Sequence, residues 1–407
     1  MSEAVKPVAV VPAQGGAGRA EARGPRQEFF DSLESLRGLA AFLVVLYHLP
    51  PWLDSVYRIT FIRHGDLMVD FFFVLSGFVL YHSYAGKIRD RVSMSKFVAL
   101  RLGRLYPVHL VFIVPFLVIE VGKYIAFSRY GVAEMQARPE LSKIGGSLIW
   151  NLLLVQGLGF TSNDPSFNFP SWSISTEFYT YLVFGFGLLL FSKRGFKVLS
   201  IVLISVCVAM LAALGGRLGD FIFPLRCLSG FFIGCLTRDA FDSFRNRRFA
   251  FDWPLLVMGV VLVALGLPWS HKVGTAWWDP FFFPLAAVLI VTVVLTPHSL
   301  VNKLLMSRPV RWLGMISYSL YMAHAIVQWV ARQAARKLSH QPEVVIDGYH
   351  TVRLGPAAAF VAYLAVIAVT LGLGWLSYLL VENPSRNLAK RWVAKRWPGT
   401  TVLKSAA

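Results

Sequence analysis

The chain carries one stretch after another of roughly 20 residues with almost no charge, which is the length that takes a helix across the hydrocarbon core of a bilayer. Such segments run over residues 35–53, 66–84, 105–127, 172–192, 197–214, 221–237, 253–268, 280–296, 312–331 and 356–380. Of 407 residues, 56% are hydrophobic and 15% charged, too few polar side chains to cover a soluble surface. A transmembrane barrel would read as alternating segments of about ten residues instead. The expected fold is an all-α polytopic membrane protein, with about ten transmembrane helices plus one re-entrant or partial helix over 145–160.

The net charge of +18 would suggest nucleic acid on a soluble chain. Here the basic residues sit in short connections: 87–104, 193–197, 245–248, 303–311 and 386–396. Cytoplasmic loops attract such charge. All five clusters face the cytoplasm only if 145–160 fails to cross, which puts both termini inside. No nucleic-acid partner is expected, and membrane lipid is. Residues 1–30, rich in Ala, Gly and Pro, read as a disordered cytoplasmic tail without a signal-peptide pattern. A membrane domain is expected over 31–385 and a basic cytoplasmic tail over 386–407. Cys207, Cys227 and Cys235 lack metal-ligand spacing and read as small core residues. No metal site is called for.

Ionisable residues inside a span are costly, so each needs a reason. Arg37 and His48 are eleven residues apart, close to three full turns, and share one face of the first helix about 16 Å apart along its axis. Pro50 and Pro51 end that helix. A histidine there suits a general base acting on a hydroxyl; it equally suits a hydrogen bond to a neighbouring helix. Arg101 and Arg104 share a face at the cytoplasmic start of the third span, which fits phosphate binding and also plain positive-inside anchoring. Ser173 and Glu177 lie on one face of a helix starting near the outer surface, with Ser171 placed to cap it. Glu177 can orient a histidine, hold an acceptor hydroxyl, or bond between helices. Asp66 reads as a helix cap and Asp70 lies deeper on the same face; Ser76 and Gly77 read as packing positions. His324 falls mid-span with Ser317 and Tyr321 on its face, open to a structural or a functional reading. Glu382 ends the last span and is placed to pair with Arg386 one turn on or with another basic loop residue. Trp52, Trp172, Trp277 and Trp278 near the outer face fit an interfacial aromatic belt or sugar stacking.

The fragments "LRGLAAFLVVLYH", "FFFVLSGFVL", "RLGRLYPVH", "WSISTEFYTYLVF", "SYSLYMAH" and "VENPSR" stand in the order seen in the acyltransferase-3 family of integral membrane acyltransferases, which the chain resembles over about residues 31–390. The resemblance implies transfer of an acyl group, most often acetyl, from cytoplasmic acyl-coenzyme A (acyl-CoA) to a carbohydrate hydroxyl. The acceptor is expected to be an exported or surface polysaccharide unit at the outer side of a bacterial inner membrane, with polysaccharide assembly proteins as partners. The family's Arg-x10-His signature falls on Arg37 and His48, its arginine pair on Arg101 and Arg104, and its Trp-Ser-x-Ser-x-Glu segment on Trp172, Ser173, Ser175 and Glu177. Many relatives carry a further Glu where this chain has Phe178. No hydrolase-like soluble domain of the kind fused to some members is recognisable, so transfer is expected to finish in the membrane domain or through another protein.

In that scheme Arg37, Arg101 and Arg104 hold the phosphates of coenzyme A (CoA) and His48 deprotonates the acceptor. Glu177 or Asp70 fixes the imidazole tautomer. Ser173, Ser175 or backbone N–H groups near Pro50 meet the oxyanion. Trp172 and His324 are further substrate-site candidates. Rival readings are a transmembrane acyl relay to a separate transferase and a transporter or flippase; the absence of an internal repeat in the sequence speaks against the last.

Overall fold

The computed structural model describes residues 25–130, 140–160, 167–244, 252–266, 282–346 and 349–398. The chain runs through α1 (Pro25–Tyr47), two single turns α2 (Asp54–Tyr57) and α3 (Thr60–Arg63), α4 (Leu67–Tyr84), α5 (Arg91–Tyr130) and α6 (Leu141–Leu152). It continues through α7 (Trp172–Leu190), α8 (Lys193–Leu214), α9 (Ile222–Phe244), α10 (Trp253–Gly266), α11 (Phe282–Leu295), α12 (Leu300–Leu305) and α13 (Arg308–Leu338). A hairpin of β1 (Glu343–Ile346) and β2 (Tyr349–Val352) precedes α14 (Pro356–Ser377) and α15 (Asn383–Arg396).

Each of the ten apolar segments contains a helix. Among the described residues, six helical stretches are long and apolar enough to cross a membrane: Leu67–Tyr84, Arg91–Tyr130, Phe169–Leu190, Lys193–Leu214, Arg217–Ser243 and Pro356–Arg396. The protein is thus an α-helical membrane protein. Helices α10 and α11 are shorter, and α1 and α13 are long but too polar to qualify on composition.

Four boundaries differ from the sequence expectation, one being the partial helix, expected over 145–160 and found at Leu141–Leu152. Helix α1 starts at Pro25, inside the stretch read as a tail; residues 1–24 lie outside the described set, as do 245–251 and the segment with Trp277 and Trp278. The basic stretch before the third span is itself helical, because α5 runs unbroken for 40 residues. The basic C-terminal stretch is also helical, continuing from α14 through one π turn, Tyr378–Glu382. The β hairpin is an addition to the all-α expectation; Arg336 near the end of α13 ion-pairs with its Glu343. On the same side Arg353 lies 2.5 Å from Asp54 and holds that carboxyl below the usual aspartate range.

Helix α6 spans about 18 Å, too short to cross. Its terminal carbonyls would be orphaned in a bilayer. Neighbouring helices supply the donors. His109 and Tyr106 of α5 reach Asn151 O and Leu152 O at 3.0 and 2.9 Å. Tyr179 and Ser175 of α7 reach Leu153 O and Leu154 O at 3.1 and 2.5 Å.

Two backbone-close crossings set the bundle. In α4 and α9, a Cβ on Gly77 would stand 1.8 Å from Phe231 O, and one on Gly234 would stand 2.0 Å from Val74 O. In α1 and α13, a Cβ on Gly38 would meet Gly314 N at 2.4 Å. Glycine lets these helices approach to van der Waals contact of their main chains, the main source of helix affinity inside lipid. Gly77→Val is therefore expected to abolish the monodisperse folded protein on size exclusion. Gly122→Val, where a side chain meets open space, should leave it intact.

Candidate active site

A cavity of about 120 Å³ opens between α1, α4, α5, α7 and α13. Arg37, Arg101 and Arg104 line it, together with Glu34, Ser76, Ser173, Glu177, Tyr181, Tyr318 and Tyr321. The fold thus brings the three arginines predicted from sequence into one wall, although they come from two helices. Arg101 is buried, while Arg37 and Arg104 are half-buried. Among the described residues neither Arg37 nor Arg104 has a hydrogen bond or a carboxylate within 4 Å. Glu34, Glu177 and Glu382 act on Arg104 from further off.

Glu177 does not hold a histidine. Its Oε1 accepts from Ser76 Oγ at 2.6 Å and from Tyr181 Oη at 2.5 Å. Ser76, read from sequence as packing, is thus also a polar contact of the cavity wall. Asp70 is likewise not a partner of His48. It is fully buried and takes a bidentate fork from Arg226 of α9, Nε to Oδ1 at 3.0 Å and Nη2 to Oδ2 at 2.6 Å. Arg226 escaped the sequence reading, although a charged residue inside "FPLRCLSG" was the available signal.

The tautomer of His48 is fixed by the main chain instead. α1 ends at Tyr47, and Val44 O receives both the main-chain N–H of His48 (3.2 Å) and its ring Nδ1 (3.0 Å). A carbonyl only accepts, so Nδ1 carries the proton and Nε2 presents its lone pair. His324 repeats the arrangement on α13, with Nδ1 at 2.5 Å from Tyr321 O and a buried Nε2 that has no hydrogen-bond partner among the described residues. The two imidazoles lie 4.9 Å apart, centre to centre. A neutral His324 in this tautomer offers no N–H at Nε2, so it serves as an acceptor and not as an oxyanion donor.

The break after His48 is held open by other helices. Gln328 reaches the freed Val45 O at 2.9 Å. Tyr363 of α14 donates to Pro50 O at 3.0 Å and accepts from Leu53 N at 3.1 Å. Leu354 N and Trp52 N take up Trp52 O and Pro50 O. The Leu53 and Trp52 N–H groups are therefore not free to meet an oxyanion. Trp52 is 1% exposed and stacks on Tyr363, so it is neither a belt residue nor a surface for sugar.

Tyr321 joins the cavity to the histidines. It lines the cavity, its hydroxyl lies 2.9 Å from Ser173 Oγ, and its ring packs on His324 at 5.6 Å. Ser173 also donates to Pro170 O at 3.1 Å. Neither His48 nor His324 is in the cavity wall. Ser175 is removed from the oxyanion candidates, since its proton goes to Leu154 O and its oxygen accepts from Gly157 N at 3.1 Å. Ser171 occupies the N-cap position of α7, but its hydroxyl takes Gln156 Nε2 instead of capping the helix. Asp66 stands at the N-cap of α4 without a side-chain cap bond. Trp172 stacks on Phe223 at 4.2 Å and has the Arg226 guanidinium 6.0 Å from its ring. Glu382 pairs with Arg386 at 3.5 Å as expected and also accepts from Ser319 at 2.7 Å.

A family model described as an acyltransferase domain matches residues 30–379. The peptidoglycan O-acetyltransferase OatA of Listeria monocytogenes is 24% identical over 330 residues, 73% of this chain and 49% of its own length. The acyltransferase MdmB of Streptomyces mycarofaciens is 29% identical over 407 aligned positions, 90% of this chain and 94% of its own. The chain thus spans about half the length of the Listeria relative. No solved structure matches it significantly.

Proposed function

The chain belongs to the acyltransferase-3 family of integral membrane acyltransferases, and from that premise we propose that it transfers an acetyl group from cytoplasmic acetyl-CoA to a carbohydrate hydroxyl at the outer side of a bacterial inner membrane. A carbohydrate acceptor is supported by the Listeria relative, whose name specifies peptidoglycan O-acetylation. The observation that carries the proposal is a juxtaposition: three arginines and Tyr321 line one cavity, and Tyr321 packs on His324, whose imidazole lies 4.9 Å from that of His48. In this reading residues 31–385 are the membrane acyltransferase domain, crossing ten times with both termini cytoplasmic. Residues 1–30 and 386–407 are its cytoplasmic extensions.

Forked guanidiniums bind phosphate oxygens at the cytoplasmic mouth. The slim pantetheine arm follows the cavity toward Tyr321. His48 Nε2 removes the proton from the acceptor hydroxyl as its oxygen attacks the thioester carbonyl. The tetrahedral intermediate collapses with cleavage of the C–S bond. The departing thiolate takes the proton back from His48, so the base is restored. Val44 O keeps Nδ1–H in place throughout, the orienting role a carboxylate plays in a hydrolase triad.

The test is acetyl-CoA consumption by the purified protein in nanodiscs, with peptidoglycan fragments as acceptor and mass spectrometry of the product. Acceptor-dependent release of CoA with an O-acetylated product supports the proposal; acceptor translocation without CoA release identifies a transporter instead. Arg104→Gln is expected to weaken acetyl-CoA binding about tenfold or more, the scale of one charged hydrogen bond. Calorimetric titration checks it.

A further inference from the structure

Helix α15 lies beyond the family match, which ends at residue 379. It is nevertheless packed tightly onto the arginine-bearing part of α5, where a Cβ on Gly103 would stand 2.3 Å from Ala389 Cβ. Residues one turn apart on this helix, Arg386 and Lys390, are both half-buried. Lys390 is within electrostatic reach of Arg386, Arg104, Arg101 and Glu34. Arg386 feels Arg104, Glu382 and Glu34. Among the described residues Lys390 makes no hydrogen bond or ion pair.

Arg37, Arg101, Arg104, Glu34 and Glu177 line the cavity, and Arg386, Lys390 and Glu382 lie outside its wall but within electrostatic reach of that group. Cations outnumber carboxylates by two in that set. Like charges held together away from bulk water repel strongly; the further carboxylate that acts on Glu34, Asp31, is itself ion-paired with Arg311 at 3.6 Å. A polyanion is the ligand chemistry that would balance such an excess.

We propose that α15 is part of the donor site, with Lys390 and Arg386 contacting phosphates of the nucleotide end of acyl-CoA. This rests on the acyl-CoA donor proposed above. The nucleotide end carries a pyrophosphate and a 3′-phosphate, about four negative charges at neutral pH, against one positive charge on each of Arg37, Arg101 and Arg104. The tight Gly103–Ala389 contact fixes how far α15 stands from Arg101 and Arg104 on α5, so the added cations are held at constant spacing.

The experiment is equilibrium binding of acetyl-CoA and of S-acetylpantetheine, which lacks every phosphate, to the full-length protein in phosphatidylcholine nanodiscs. Lys390→Gln and Lys390→Glu are compared with the parent. Because Lys390 makes no hydrogen bond or ion pair among the described residues, these changes alter charge without opening a hydrogen-bonded network there. Lys390→Gln is expected to weaken acetyl-CoA binding about fivefold to tenfold, and Lys390→Glu further, with S-acetylpantetheine unchanged. Parental acetyl-CoA affinity in Lys390→Glu overturns the inference and leaves the donor assignment standing, as does equal weakening toward both donors. A parent that fails to bind acetyl-CoA overturns the donor assignment, and the inference with it. Repeating the titration with phosphatidylglycerol added separates the other phosphate source. A Lys390 effect confined to those discs assigns the cluster to lipid headgroups and overturns the inference.

Discussion

Replacing His48 by alanine or glutamine lowers acyl transfer by about a hundredfold to ten-thousandfold, the usual contribution of a positioned general base, while acetyl-CoA still binds. The two variants separate chemistry from packing. Glutamine keeps most of the volume and can still hydrogen-bond to Val44 O, the partner of His48 Nδ1, but it cannot accept a proton at neutral pH. If packing were the role of His48, glutamine would restore activity. If the base is His48 Nε2, both variants fail alike, which initial rates at saturating donor will show. His324→Gln is instructive beside them, since its imidazole, 4.9 Å away, is a neighbouring group able to take over proton transfer. Residual activity of His48→Gln that vanishes in the double variant would measure that rescue.

Asp70→Ala destabilises the protein by roughly 3–5 kcal/mol, the cost of leaving one member of a buried ion pair uncompensated. Arg226 is 2% exposed, and its guanidinium has no water to turn to when the carboxylate is gone. Replacing both members by apolar residues of similar volume, Asp70→Leu with Arg226→Met, should recover most of the loss. Thermal unfolding in detergent with a fluorescence readout measures all three. The exposed pair Glu140–Lys143, with both side chains about half exposed, is the control, and Glu140→Ala should leave the midpoint unchanged. A cost for Asp70→Ala as small as the control's would mean that the pair is not a structural element of the bundle.

The helices themselves were legible, because long uncharged stretches admit no other structure in a bilayer. A partial helix was legible too, expected over 145–160 and found at Leu141–Leu152, since the basic clusters around it agree on one side only if it does not cross. The partners of the polar residues were not. Asp70 and Arg226 are 156 residues apart, and no local pattern pairs α4 with α9; that pairing follows from the Gly77 and Gly234 crossing. Ser175 stands in a motif that reads as catalytic, yet the unsatisfied end of α6 claims its hydroxyl. Trp52 reads as interfacial by position, but the Pro50–Pro51 break turns it inward against Tyr363. The three arginines line one cavity, two of them because they share a helix face; Glu34 lines it one turn from Arg37 on α1, and Tyr318 only through the packing of α13.

The most direct test of this account is a cryo-electron microscopy map of the protein in nanodiscs with CoA bound. Phosphate density is expected against Arg37, Arg101 and Arg104, with the thiol end extending through the cavity to Tyr321 and the His324–His48 pair. Phosphates bound elsewhere, or a thiol end directed away from those histidines, would contradict it.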